Sequence, residues 1–278
     1  MKKALMKVLI ACQCLLIIAP FSQVKAAEKD DVNMNNEHLS KLEKDTIKQD
    51  LQGDTIKKYP KPAGKDVFGS MVQLEDTYKD LEGKVWSIDN AYSNKHRTMV
   101  FAPHGGQIEK GSTELAHAIA DRGNYDFFSF NGLKKKDNHS LHVTSTHYDE
   151  PTLEKELKNK QYSIAVHGAM GDKTHAVYVG GANKSLINYS IHQLKKQGID
   201  AKKAPKHLAG KGAKNIVNRN KTHQGVQLEL SEGLRKDLFK KGFYSIDKRS
   251  DRNNWSPTMH KFAKAMTRAV NDQKIDDL

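Results

Sequence analysis

Cysteine is nearly absent: Cys12 and Cys14 are the only two in 278 residues, and both lie inside an apolar N-terminal run. A mature chain starting after that run has no disulfide framework, no thiol nucleophile and no cysteine metal ligand. Long apolar stretches are equally scarce, since Val8 to Phe21 is too short and too broken for a stable membrane span. Lys2, Lys3 and Lys7 precede it and Val24-Lys25-Ala26 follows, the order of a secretory signal with a small-residue cleavage site. Residues 1–26 are therefore expected to be removed, leaving a secreted, extracellular protein with no membrane attachment. The sequence also has no G-x-x-x-x-G-K-[ST], H-E-x-x-H or G-x-S-x-G, which removes the phosphate loop, the zincin helix and the nucleophile elbow from consideration.

Acidic residues are in deficit, with 46 Lys and Arg against 33 Asp and Glu, a formal net charge of +13. Loss of lysines 2, 3, 7 and 25 with the signal lowers it to +9. Such an excess on an exported protein calls for an anionic partner. Aromatics make up 7% of the chain and do not interleave with basic residues as single-strand binding requires, so no specific nucleic acid is expected.

Residues 27–65 are polar and charged, with one weak helical pattern at 38–51 and a Tyr59-Pro60-Lys61-Pro62-Ala63-Gly64 end, the composition of a flexible leader. From Val67 onward helical and strand periods alternate. Helices are predicted near Met71 to Leu81, Ser112 to Asp121, Thr152 to Lys158, Lys184 to Gln197, Glu232 to Lys240 and from Pro257 behind an N-cap Ser256. Strands are predicted at Thr98 to Ala102, Tyr125 to Phe130, Leu141 to Ser145, Ser163 to Val166 and Val226 to Leu230. This alternation predicts one α/β domain over 66–278, with a mixed and mostly parallel sheet covered by helices on both faces. A monomer is expected.

Ligands of open α/β sheets bind beyond the carboxyl ends of strands. His104 and His167 stand just there, each followed at once by glycine, and Glu109 lies where the chain can fold back to the strand tip ahead of a helix expected to be capped by Ser112. Two imidazoles and a carboxylate are a common donor set for a catalytic zinc with one position left to water. In GVQLELSEGLR, Glu229 points away from Val226, Leu228 and Leu230, and a carboxylate in a central strand suits a general base. Asn218, Arg219, Gln227 and Arg235 surround it in sequence, and arginine forks are shaped to grip carboxylates. His139, His142 and His147 form a histidine-rich stretch without strand-tip placement and read as solvated loop residues.

The blocks APHGGQIE at 102–109, AVHGAMGD at 165–172 and GVQLELSEGLR at 225–235, in that order, resemble the phage-type poly-γ-glutamate hydrolases, zinc enzymes with a carboxypeptidase A-like fold. The resemblance covers roughly Val67 to Val270. It implies one zinc per chain held by His104, Glu109 and His167, with Glu229 as the catalytic carboxylate, and poly-γ-glutamate as the anionic polymer cut at its γ-glutamyl amides; internal cleavage is expected because a polymer substrate wants an open groove. Gln107 occupies the position where carboxypeptidases carry their ligand glutamate, three residues after the first histidine. Two other readings remain: a zinc amidase that uses the same residues on γ-glutamyl links of cell-wall peptides, and a non-catalytic binder of polyanions or nucleic acid, for which the histidines are incidental.

Overall fold

Residues 59–277, apart from position 94, are described by the computed structural model. The expected signal at 1–26, the weak helix at 38–51 and most of the 27–65 leader lie outside them. No helix among the described residues is long and apolar enough to cross a membrane.

Among the described residues seven strands form one mixed sheet: β1 (Trp86–Ala91), β2 (Thr98–Gly106), β3 (Asp126–Gly132), β4 (Tyr162–Gly168), β5 (Ala176–Gly181), β6 (Asp200–Lys203) and β7 (Val226–Leu230), in the order β1-β3-β2-β4-β7-β5-β6. The central strands β3, β2, β4 and β7 are mutually parallel, while β1 runs antiparallel to β3 and β5 antiparallel to β7. Consequently the carboxyl ends of β2, β4 and β7 lie side by side at one end of the sheet. The strand period sorts side chains to two cores. Val100, Ala102, Ile164 and Val166 face one, whereas Met99, Phe101 and Ala165 face the other.

The first core is covered by α2 (Ser112–Gly123), α4 (Lys184–Lys196) and α7 (Pro257–Asp276), the second by α1 (Met71–Thr77) and α3 (Pro151–Leu157). Helices therefore cover both faces. Local chemistry fixes their starts: the Asn183 side chain accepts the Leu186 amide at 2.9 Å, the Ser256 hydroxyl accepts the Thr258 amide at 3.1 Å ahead of Pro257, and Glu150 caps Pro151 to Leu157. Met259, Phe262, Ala263, Met266 and Val270 are buried along one stripe of α7. Two short helices, α5 (Glu232–Asp237) and α6 (Ile246–Ser250), complete the site end.

Three strands carry no clear sequence signal. β1 and β6 are polar edges, WSIDNA and DAKK, whose strand form comes from backbone pairing to β3 and β5. β5 is a short apolar run ending in two glycines. The strand expected at Leu141 to Ser145 is replaced by a 3-10 turn, Asn138–Leu141, and an irregular loop. Its backbone groups have other partners: the His142 amide goes to His139, the Thr144 amide to Asp66, and the Val143 carbonyl to a histidine ring. Ser112 is the first residue of α2 rather than its cap, which is Gly111 in left-handed geometry.

Candidate active site

His104 sits near the tip of β2, where the pairing with β3 shifts register between Ala102 and Gly105. The chain then turns back on itself, so that the Glu109 amide donates to the His104 carbonyl at 2.9 Å. Gly106 makes the turn possible: its φ is +62°, and a Cβ there would lie 2.5 Å from the Gly132 carbonyl oxygen. The turn is also held from outside. Arg249 of α6 is fully buried and donates to the Gly106 carbonyl at 2.9 Å, to Glu114 at 3.0 Å and to the Tyr244 carbonyl at 2.8 Å.

On the neighbouring strands, His167 and Glu229 are directly paired in the β4–β7 ladder. His104, Glu109, His167 and Glu229 are all buried. His104 Nε2 lies 2.8 Å from the Val143 carbonyl oxygen, an obligate acceptor, so this nitrogen carries a proton; in the neutral ring Nδ1 presents a lone pair to Glu109, and in the charged ring it donates to it. That Nδ1 is 3.2 Å from Glu109 Oε1, and His167 Nδ1 is 3.5 Å from Glu109 Oε2, which also accepts the Gly168 amide at 2.9 Å.

This donor arrangement fits a metal ion. A lone pair facing a carboxylate oxygen is repulsive unless a proton or cation lies between them. Donors about 2.0–2.1 Å from one tetrahedral zinc stand about 3.3–3.4 Å apart, close to the 3.2 Å between His104 Nδ1 and Glu109 Oε1, while His167 Nδ1 lies 3.5 Å from the other oxygen, Oε2; among the described residues the tight donor cluster is His104, Glu109 and His142, without His167. The electrostatics agree in direction. Burial alone would raise the Glu109 carboxyl, but His104 and His167 outweigh it and hold it well below the usual carboxylate range. Burial alone would lower His167, yet Glu109 and Glu229 raise it, so the site favours positive charge between these groups. Glu229 is pushed up to about 7, chiefly by burial, with His167 opposing and Glu109 adding to the rise. The Gln227 amide fixes one of its oxygens at 2.8 Å.

The residues expected around the base divide by how their polar groups are used. Arg235 is buried with Nη1 on the Lys110 carbonyl at 2.9 Å, and its Nε has no partner among the described residues. Its guanidinium lies over Gly168, where a Cβ would come within 2.9 Å of it. Arg219 instead bonds the carbonyls of Thr146, Tyr148 and Lys214 and pairs with Glu154, tying one loop to another. The Asn218 side chain bonds the Gly210 and Gly212 carbonyls and the Gly225 amide. Gln227 also accepts from Asn215, so it orients Glu229 from within a closed network.

Sequence reasoning missed His142. Its ring stacks on His104 with centroids 4.0 Å apart, and its Nδ1 is 2.6 Å from Asp66 Oδ1. Burial, together with the nearby His104, lowers it to about 4 despite Asp66 and Glu109. It is therefore no solvated loop residue. The signal that could have found it is Asp66, a lone acid just ahead of the first apolar pattern.

Two histidines and a glutamate near strand tips, with a second carboxylate alongside, are the residue types that metallohydrolases use. Residues 68–265 match the model of the poly-gamma-glutamate hydrolase family, and the chain belongs to that family. It is 36% identical to Bacillus subtilis UPF0714 protein YmaC over 160 residues, 56% of this chain and 67% of the relative. Against B. subtilis UPF0714 protein YndL the identity is 35% over 158 residues, 56% of this chain and 61% of YndL, so the match spans less than two thirds of that relative. A solved bacteriophage poly-gamma-glutamate hydrolase superposes with a TM-score of 0.71 at 31% identity, covering 75% of this chain and 98% of that one. A zinc-free apo form of YndL superposes with a TM-score of 0.68 at 29% identity, covering 75% and 99%.

Proposed function

We propose that this protein is a secreted, zinc-dependent hydrolase that cuts γ-glutamyl amide bonds inside poly-γ-glutamate. The observation that carries the reading is the approach of His104 and His167 Nδ1 to the two oxygens of Glu109, at 3.2 and 3.5 Å, beside the buried Glu229. Family membership supports the substrate, and a relative solved in a zinc-free form supports zinc as the ion. His104, Glu109 and His167 would hold it. The chemistry it would supply there is Lewis acidity, polarising a carbonyl and making water a stronger acid.

The chain's own groups do the rest. Glu229, buried beside the site and oriented by Gln227, takes the proton of the attacking water and returns it to the leaving amine. Arg235 offers its unpartnered Nε beside Gly168 to an α-carboxylate of the polymer or to the developing oxyanion. Arg219 and Asn218 shape the adjoining loops. The net charge of +9 without the signal draws a polyanion towards the site.

Incubation of the purified protein with poly-γ-glutamate, cell-wall peptides and DNA, followed by sizing of products, tests the reading. The expected result is a rapid fall in polyglutamate mass before free glutamate accumulates, abolished by chelator and restored by zinc. Unchanged polyglutamate, or full activity in chelator with no bound metal, would overturn it.

A further inference from the structure

Charge that the catalytic site leaves unused lines the groove between α2 and α7, on the face of the first core. Among the described residues three hollows follow one another along it. The first, about 340 Å³, is lined by Gly106 of the His104–Glu109 turn and by Arg252 and Trp255. The second, about 310 Å³, shares Arg252 and Trp255 with the first and Arg122 with the third, which measures about 620 Å³. We propose that this groove is a second, non-catalytic station for the poly-γ-glutamate chain, with Arg122, Lys264 and Arg268 gripping its carboxylates. This rests on the substrate proposed above and goes beyond it, since none of the three cations is a metal donor or a partner of Glu229.

The third hollow is lined by three cations and no acid, alongside Tyr125, Thr267 and Asn271. None of the three cations forms an ion pair or a side-chain hydrogen bond among the described residues. Arg122 has a local reason for its place, the last turn of α2, where a cation meets the negative end of the helix dipole. Lys264 and Arg268 stand one turn apart in the middle of α7, about 6 Å along its axis, where like charges repel and weaken the helix. An anion between them removes that cost. Lys274 adds positive charge at the same end: it lies 5.3 Å from the centre of the Tyr125 ring, and burial together with Arg97 lowers its ammonium. In the middle hollow Asp121 is already taken, by Arg252 at 2.8 Å and by His117 at 3.3 Å.

A small anion engages one or two such side chains, whereas a polymer with a carboxylate on every residue engages all three and continues towards the turn. Arginine forks suit carboxylates. Tyr125 is buried with Lys274 over its ring, which leaves no open face there for stacking a nucleic-acid base. From Ser112 to Arg122, α2 rises about 15 Å, so a chain held at the far station stays within a short tether of the His104–Glu109 turn. Rebinding at the catalytic site then becomes intramolecular.

Affinity for long poly-γ-glutamate and for tri-γ-glutamate, measured by fluorescence anisotropy at low and high salt on the full chain carrying Glu229→Gln so that polymer is not consumed, tests the proposal. Adding Arg122→Gln, Lys264→Gln and Arg268→Gln together is expected to weaken binding of the long chain about tenfold and to flatten its salt dependence, while affinity for the trimer holds. Lys79→Gln, Lys155→Gln and Lys158→Gln, exposed lysines outside the groove, remove the same net charge and are expected to leave the long chain bound as before. Melting of each variant checks its fold, and Lys264→Gln with Arg268→Gln alone decides if the triple variant melts lower. Unchanged affinity of the groove variant for the long chain, or equal weakening by the control variant, would overturn the proposal alone. Failure of the wild type to bind or cut poly-γ-glutamate would overturn the substrate reading and this proposal together.

Discussion

Replacing Glu229 by glutamine separates chemistry from stability, because the same burial that suits this carboxylate to its role works against the fold. Burial lifts its pKa from 4.5 to about 7 in the metal-stripped protein. For an acid lifted in this way the folded state holds the proton longer than the unfolded chain, so stability is lost as pH rises from about 4.5 through about 7. At 1.36 kcal/mol per unit the lift corresponds to about 3 kcal/mol at pH 8, an upper figure because His167 compensates the charge. Glutamine keeps the shape and the contact with Gln227 but never ionises. Metal-stripped Glu229→Gln should therefore melt on the order of 5 °C above the metal-stripped wild type at pH 8, with the gain vanishing near pH 4.5. The zinc-loaded variant should retain its metal and lose turnover by about 10²- to 10⁴-fold. Scanning calorimetry across that pH range, with turnover on poly-γ-glutamate, reads both. A variant that melts no higher at pH 8 would refute the electrostatic argument, and normal turnover would refute the assignment of the base.

Three further predictions concern the scaffold and the substrate. Glu75 is pushed up to about 8 by burial and by the neighbouring Glu150 and Asp149, so it costs stability as pH rises from about 4.5 to 8. Glu75→Gln should stabilise the fold by about 1–2 kcal/mol above pH 8, after discounting for partial exposure, and not near pH 4; denaturant melts at both pH values check it. Arg235→Lys should raise KM for poly-γ-glutamate by about tenfold with little change in melting temperature, whereas Arg219→Ala should lower the melting temperature and leave KM nearly unchanged. The reverse pattern would exchange their roles. Gly106→Ala forces a side chain into left-handed backbone against the Gly132 carbonyl and should cost about 2 kcal/mol or more, measurable by denaturant titration.

The parts of the fold legible in the sequence are those with strong local signals. Ser256-Pro257 followed by a 3.6-period stripe marks α7, and Val226 to Leu230 alternates so cleanly that its strand bounds need no change. β6 was not legible because DAKK carries no hydrophobic pattern, and it is a strand only through pairing with β5. At the site, the strand-tip rule singled out His104 and His167, since both stand where parallel strands end in glycines. It could not find His142, which comes from an irregular loop and whose placement depends on Asp66 across the fold. Nor could sequence distinguish the two arginines. Arg219 differs from Arg235 only in which carbonyls and carboxylates tertiary structure sets around it.

The turn from His104 to Glu109, closed by its own backbone hydrogen bond, also bears on the order in which the molecule folds. Bringing those two side chains together closes a loop of only a few residues, a small entropic cost that the chain can meet early. His167 and Glu229 reach the same point only after β4 has docked on β2 and β7 on β4, contacts of long sequence separation that are slow to form. One half of the site is thus a local structure and the other a reporter of completed topology. A substitution that slows β4–β7 docking would delay the gain of activity during refolding without delaying formation of the His104–Glu109 turn.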